Sequence, residues 1–171
     1  MKSMPSNVRF TLKRKALIYD IENYAYVEAD TMQADDDRQR KHIFDIAQEG
    51  NIDRVNRIMQ LAYSELVNML FPYTNTPVPS DGMEIDNTIE TPEEYVISMT
   101  VPATFSSTTA TLLGKLLHEY IVYRVLTDWF AITNPNAQVG WAIKLEDVKS
   151  RIRECINFRC KKVRRRISVL G

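Results

Sequence analysis

The sequence predicts a mainly α-helical domain with a long loop and one or two short strands or a hairpin. Between residues 52 and 70, apolar side chains recur at intervals of three and four, as on one face of an amphipathic helix. Residues 110–132 are apolar on nearly all sides, which is typical of a central core helix. We therefore expect the 171 residues to form a single helical domain, 1–171, built as a bundle of about four helices.

Periodicity and turn residues define the elements before residue 50. Residues 8–12 alternate between apolar and polar types and predict a short strand. A helical stripe follows and predicts a helix over residues 14–32. The aspartates at 35–37 can begin a short amphipathic helix around Ile43, because acidic residues favour a helix amino terminus.

The amphipathic helix and the loop after it have clear boundaries. Gly50 is a natural helix stop and Asn51 a natural helix start, and Pro72 ends the amphipathic stripe. Residues 72–94 are rich in Pro, Asn, Thr, Asp and Glu and predict a long exposed loop. Because loops this long in a compact domain are usually functional or disordered, the segment is a candidate docking arm.

A strand is predicted over residues 95–101, which alternate in polarity. A single strand is not stable alone, so it needs a partner. Three partners are open: the stretch near Val8, the tail after Arg166, or a strand of a neighbouring subunit. The candidate docking residues of this strand are Tyr95, Ile97 and Met99.

The last predicted helix leads into a basic carboxyl-terminal tail, residues 159–171. Asn134 and Pro135 form a cap and first-turn pair, and the buried stripe is expected to run from Val139 to Val163. The candidate contacts to DNA or to a partner are Arg159, Lys161, Lys162, Arg164, Arg165 and Arg166. The apolar end of the tail adds the candidate docking residues Ile167, Val169 and Leu170.

The charges are segregated although the formal net charge is zero. No Lys or Arg occurs between Arg57 and Lys115, where seven acidic residues lie. From Lys144 onward, ten basic residues outnumber three acidic ones. Such a chain can pair with copies of itself or present its basic end to a polyanion.

Sequence motifs for catalysis or for cofactor and metal binding are missing. The five glycines are not grouped, so no nucleotide-binding fingerprint exists, and we expect no cofactor and no catalytic residue. His118 stands beside Glu119 but lacks a nucleophile at a defined spacing, which favours a locally hydrogen-bonded core or interface histidine. Cys155 and Cys160 fall on different helix faces and predict neither a disulfide nor a metal site.

Hydropathy predicts a protein that does not enter a membrane. No uncharged apolar run reaches the roughly 18 to 20 residues that cross a bilayer, and the amino terminus lacks an apolar signal-peptide centre. We therefore expect assembly in a cytosol.

Several strings of the chain resemble a family of small proteins encoded among the virion structural genes of phages and prophages of Bacteroides-type bacteria. They are ALIYDIENYAYVEAD, NIDRVNRIMQLAYSELVNMLFPYT, HEYIVYRVLTDWFAITNP and KKVRRRIS. The resemblance implies a component of the virion neck: a head–tail connector, adaptor or head-completion protein that forms a homo-oligomeric ring under the portal, with a dodecamer among the expected stoichiometries.

The resemblance also implies where such a ring would be held together. A loop or hairpin reaches a neighbour and a terminal segment inserts into the ring above or below, which points here to residues 72–94, 95–101 and 159–171. By analogy, the basic residues would line the DNA channel. The implied location is the virion, after assembly in the host cytoplasm, with the portal and neighbouring neck or tail proteins as partners.

A nucleic-acid-binding regulator or packaging factor is the alternative hypothesis, carried by the last helix and the basic tail. Phosphate contacts make binding salt-dependent, so this alternative predicts salt-sensitive DNA binding by the isolated protein. That binding would vanish when Lys161 to Arg166 are neutralised. A ring subunit instead predicts a defined high-order oligomer, or assembly onto a portal.

Overall fold

The computed structural model describes residues 5–32 and 37–157, and this part of the chain contains five α-helices and a two-stranded antiparallel sheet. The prediction of a mainly α fold is confirmed. Within these residues, no helix is both long and apolar enough to cross a lipid bilayer. In chain order the elements are β1 Ser6–Lys13, α1 Arg14–Asp30, α2 Asp37–Phe44, a 3₁₀ turn Asp45–Ala47, α3 Ile52–Met69, β2 Glu94–Val101, α4 Ser107–Thr133 and α5 Pro135–Asn157.

Helix α4 is the centre of the bundle and packs against α5, α3 and α1. Its apolar side chains are buried on several sides, because each neighbouring helix covers a different face. Helix α3 contributes a single buried stripe that includes Met59 and Leu66, as its three-four periodicity predicts. The core is therefore a helical bundle organised around one apolar helix.

The sheet joins two strands that are far apart in sequence. Ser6 pairs with Val101 and Lys13 pairs with Glu94, so β1 and β2 run antiparallel without forming a hairpin. Of the three partners that the sequence left open for residues 95–101, the stretch near Val8 is the one used. Only tertiary folding brings these strands together, because α1, α2 and α3 lie between them in the chain.

The buried stripe of α5 differs from the predicted one at its start. Val139 is exposed, whereas Trp141, Val148 and Ile152 are buried. The large Trp141 ring sets the register, since turning it inward moves Val139 to the outer face of the helix. The predicted continuation of the stripe to Val163 lies outside the described residues.

Helix α5 begins with a side-chain cap, as the Asn134–Pro135 pair predicts. The backbone N–H of Ala137 donates to Oδ1 of Asn134 at 3.3 Å, and Asn134 is buried. We expect Asn134→Ala to lower the free energy of unfolding by about 1 kcal/mol, because one amino-terminal N–H loses its acceptor. Urea denaturation measures this change, with the exposed Asn136→Ala as the matched control. Equal effects of the two substitutions would contradict the capping role.

Candidate assembly surfaces

The basic tail lies outside the described residues, so its predicted contacts are known from sequence alone. This applies to the candidate DNA or partner contacts and to the apolar end of the tail. The residues concerned are Arg159, Lys161, Lys162, Arg164, Arg165, Arg166, Ile167, Val169 and Leu170.

The docking role predicted for Tyr95, Ile97 and Met99 is wrong in this fold. The three side chains are 4%, 1% and 1% exposed, because the inner face of β2 packs into the core of its own chain. The Tyr95 ring lies 5.3 Å from the Tyr63 ring of α3, measured between centroids. These residues stabilise the bundle and are not available to a partner.

The two outer edges of the sheet differ in their hydrogen bonding. At the outer edge of β2, the Tyr63 hydroxyl donates to the Val96 carbonyl at 2.7 Å. The backbone N–H of Thr100 donates to the Tyr73 carbonyl at 2.9 Å. This edge is therefore covered by α3 and by the start of the loop.

The outer edge of β1 is uncovered. The backbone N–H of Arg14 donates to the Glu93 carbonyl at 2.9 Å, so this pair belongs to the hydrogen-bonded set of the ladder. Hydrogen-bonded and non-hydrogen-bonded pairs alternate along antiparallel strands, so every second residue of β1 directs its N–H away from β2. Within the described chain, no hydrogen bond reaches these outward N–H groups. They belong to Asn7, Arg9, Thr11 and Lys13.

A groove of about 670 Å³ separates this free edge from α4. Residues 9–13 line one side, and Gly114, Lys115 and His118 belong to the other. A Cβ atom on Gly114 would lie 3.2 Å from Cδ1 of Phe10, so glycine at this position lets the Phe10 ring of β1 approach α4 closely. The groove is therefore a strand edge facing a helix, a geometry that suits an added strand.

The groove is basic. Arg9, Lys13 and Lys115 line it, and none of them forms an ion pair with another described residue. Glu119 is the one acidic side chain among the residues that line it in the described structure. An acidic segment is thus the best electrostatic match for the groove.

His118 pairs with an acidic residue that is far away in sequence. Its Nε2 atom lies 2.6 Å from Oδ2 of Asp20, and both side chains are partly exposed. The pair connects α4 to α1, so the partner of His118 is Asp20 and not the neighbouring Glu119. Sequence reasoning missed this pair because ninety-eight positions separate the two residues.

The loop between α3 and β2 exposes apolar side chains. Met83 is 67% exposed and Ile85 is 81% exposed, and the acidic Glu84 and Asp86 alternate with them. A turn precedes this segment, where the N–H of Gly82 donates to the Pro79 carbonyl at 3.0 Å. The segment thus presents a strand-like alternation without a strand partner.

Two further exposed apolar surfaces lie on the helices. On α1 and α2, Tyr19, Tyr26 and Phe44 surround a shallow depression, and the Tyr26 and Phe44 rings are 5.4 Å apart between centroids. On α5, Val139 and Ile143 are exposed and one helical turn apart. Exposed aromatic residues are enriched at protein interfaces, so the α1–α2 surface is the stronger candidate.

A polar network is built around Tyr120 and Tyr123 of α4. The Tyr120 hydroxyl donates to Oε2 of Glu65 at 2.8 Å, and Nε of Arg124 lies 3.4 Å from the same oxygen. Burial and then the bond to Glu65 raise the pKa of Tyr120 above its usual value. Burial, followed by the charge of Glu119, raises the pKa of Tyr123 to about 12.

We expect the free energy of unfolding to fall as the pH rises above about 10. In the unfolded chain the two tyrosines lose their protons at about pH 10, whereas in the folded chain they keep them to higher pH. The protonated tyrosines therefore contribute their full stabilisation below about pH 10, and this contribution is lost as the pH rises further. Urea unfolding between about pH 8 and pH 12 measures the decline. The Tyr120→Phe/Tyr123→Phe variant should flatten it, while Tyr19→Phe, at an exposed position, should not. Identical curves for all three proteins would contradict this account.

A second cavity, of about 600 Å³, lies where the carboxyl-terminal end of α4 meets α2 and α3. Arg38, His42 and Arg54 line it together with Trp129. Nη2 of Arg54 lies 3.4 Å from Oδ2 of Asp128, so Arg54 already has an acidic partner. His42 is exposed, as its charged sequence surroundings predict. Among the described residues, no group of three or more His, Cys, Asp or Glu side chains is arranged to hold a metal ion.

Comparison of the chain with protein families, with curated proteins and with solved structures finds no match.

Proposed function

We propose that the chain is a structural subunit of the neck of a tailed-phage virion. In this role it is a head–tail connector, adaptor or head-completion protein that forms a ring around the DNA channel between portal and tail. The observation that carries the proposal is the exposure of apolar side chains on three different parts of the surface: the α1–α2 surface, α5 and the loop. A ring subunit meets its two neighbours through two different surfaces and other proteins above or below.

The segregation of charge supports heterologous contacts between copies. The loop is acidic, whereas the groove beside β1 is basic, so unlike surfaces of two copies attract each other. Contacts between unlike surfaces generate rings when the rotation closes. The resemblance to small neck proteins of phages agrees with this arrangement, and the basic tail would then lie near the DNA or a neighbouring protein.

The oligomeric state of the full chain tests the proposal. Native mass spectrometry and sedimentation velocity should give one defined high-order oligomer, and negative-stain micrographs should show closed rings. Because a connector can require its partner for assembly, the same measurements are made in the presence of the portal protein of the same phage. A strict monomer under both conditions, with no binding to the portal, would overturn the proposal.

A further inference from the structure

We propose that the groove beside β1 binds the acidic loop segment 83–90 of a second copy, which adds to the free edge of β1 as an extra strand. The inference rests on the proposed function, since it names the contact that would join neighbouring ring subunits. Its first support is the row of outward N–H groups on β1, which no described residue satisfies. An added strand satisfies such an edge through main-chain hydrogen bonds.

The sequence of the segment matches what an added strand requires. Residues 83–90 read MEIDNTIE, so Met83, Ile85 and Ile89 share one face, and Glu84, Asp86 and Glu90 share the other. Met83 and Ile85 are exposed in the isolated chain, so docking would remove apolar surface from water.

Charge favours binding of the loop segment 83–90 in the groove over binding of the basic tail. On the solvent face of β1, Arg9 and Lys13 lie beside the position of an added strand, where acidic side chains would be cross-strand neighbours. Lys115 adds a third positive charge from α4. The tail segment 159–166 carries six basic residues and would be repelled by the same groove.

One existing hydrogen bond must be given up. The N–H of Thr88 donates to Oδ1 of Asp86 at 2.9 Å in an exposed local turn. This single solvent-exposed bond is weak in net terms, and an added strand forms several main-chain bonds in exchange. The loop is therefore able to extend when it meets the groove.

A peptide-binding experiment tests the groove directly. The probe is a fluorescein-labelled, end-blocked peptide of residues 83–90, and fluorescence polarisation measures its binding to the full chain. We expect saturable binding that weakens at least about tenfold when the three groove cations are reversed. This groove variant carries Arg9→Glu, Lys13→Glu and Lys115→Glu.

Two substitutions at Thr11 test the strand edge. Thr11→Pro removes an outward N–H and leaves the ladder to β2 intact, since proline is tolerated at the free edge of a sheet. Thr11→Val keeps the N–H and is the matched control. We expect the peptide to bind Thr11→Val and not Thr11→Pro, with circular dichroism confirming that both are folded. Equal binding by the two variants, or binding of a 158–171 peptide in place of the loop peptide, would overturn the inference.

Mixing two charge-reversed proteins tests whether the contact joins different copies. The loop variant carries Glu84→Lys, Asp86→Lys and Glu90→Lys. Neither variant should pair with itself, whereas an equimolar mixture should form hetero-oligomers of alternating copies in native mass spectrometry, because the loop of each variant is opposite in charge to the groove of the other. A chain with both sets of reversals should regain self-assembly. A mixture that stays monomeric would overturn the inference.

The outcomes separate this contact from the proposed function. If the groove variant still forms rings of the wild-type size, the strand-addition inference fails and the neck-ring proposal stands. If the wild-type chain stays monomeric with and without the portal while the peptide binds as expected, the proposed function fails and the groove contact stands.

Discussion

Trp141→Ala is expected to lower the free energy of unfolding by about 3 to 5 kcal/mol, the largest loss predicted for this chain. The Trp141 ring is 5% exposed and lies 5.2 Å from Tyr24, 5.4 Å from Tyr123 and 6.0 Å from Phe130, measured between centroids. Truncation would leave a cavity between α1, α4 and α5, and the aromatic contacts would be lost with it.

The hydrogen bond of the Trp141 indole N–H adds to the expected loss of stability. Its Nε1–H donates to Oε2 of Glu28 at 3.3 Å, and Nζ of Lys144 lies 4.0 Å above its ring. Trp141→Phe keeps an aromatic ring but loses the donor, so we expect an intermediate loss. The matched control is Ile143→Ala, on the same helix and 67% exposed, which should change the free energy by less than about 0.5 kcal/mol.

Thermal and urea unfolding measure the Trp141 series. For a domain of this size, each kcal/mol corresponds to about 2 to 4 °C in Tm, so Trp141→Ala should melt roughly 10 °C below the wild type. A loss of less than about 1 kcal/mol would show that the aromatic cluster does not hold α1 and α5 on α4.

Arg14→Met is expected to cost about 3 kcal/mol of stability, because it removes the side chain that donates hydrogen bonds to the buried amide of Asn56. Asn56 is 2% exposed, and its Oδ1 accepts hydrogen bonds from Nε of Arg14 at 3.1 Å and from Nη2 at 2.9 Å. Bonds from a charged donor are stronger than neutral ones, and a buried acceptor without a partner carries its full desolvation cost.

A double-mutant cycle isolates the Arg14–Asn56 contact. Asn56→Leu removes the buried polar group, so Arg14→Met/Asn56→Leu should be more stable than the sum of the single losses predicts. Arg14→Lys should lose part of the stability, since an ammonium group cannot reproduce the two-pronged geometry of a guanidinium. Additive losses measured by urea denaturation would contradict direct coupling between the two side chains.

Helix positions followed from local pattern alone. The predicted helices at 14–32 and 110–132 agree with α1 and α4 to within a few residues, and Asn134 caps α5 as its sequence predicts. These features depend on periodicity and on residues within one turn of each other, which a sequence displays directly.

The candidate site was predicted less well, because its parts come from distant segments. The pairing of β1 with β2, the Asp20–His118 pair and the Arg14–Asn56 bond each join residues at least about forty positions apart, and no local pattern specifies such contacts. Alternation identified residues 95–101 as a strand but could not tell whether its apolar face meets its own chain or a partner.

The sequence by itself determined the helical class of this protein, the limits of its long helices and the separation of its acidic and basic segments. Only the tertiary structure decided which apolar residues are free for assembly. It buries Tyr95, Ile97 and Met99 and exposes Val139 and the β1 edge. The physical reason is that each apolar face can be covered by any complementary surface, and the packing of the whole bundle selects which one covers it.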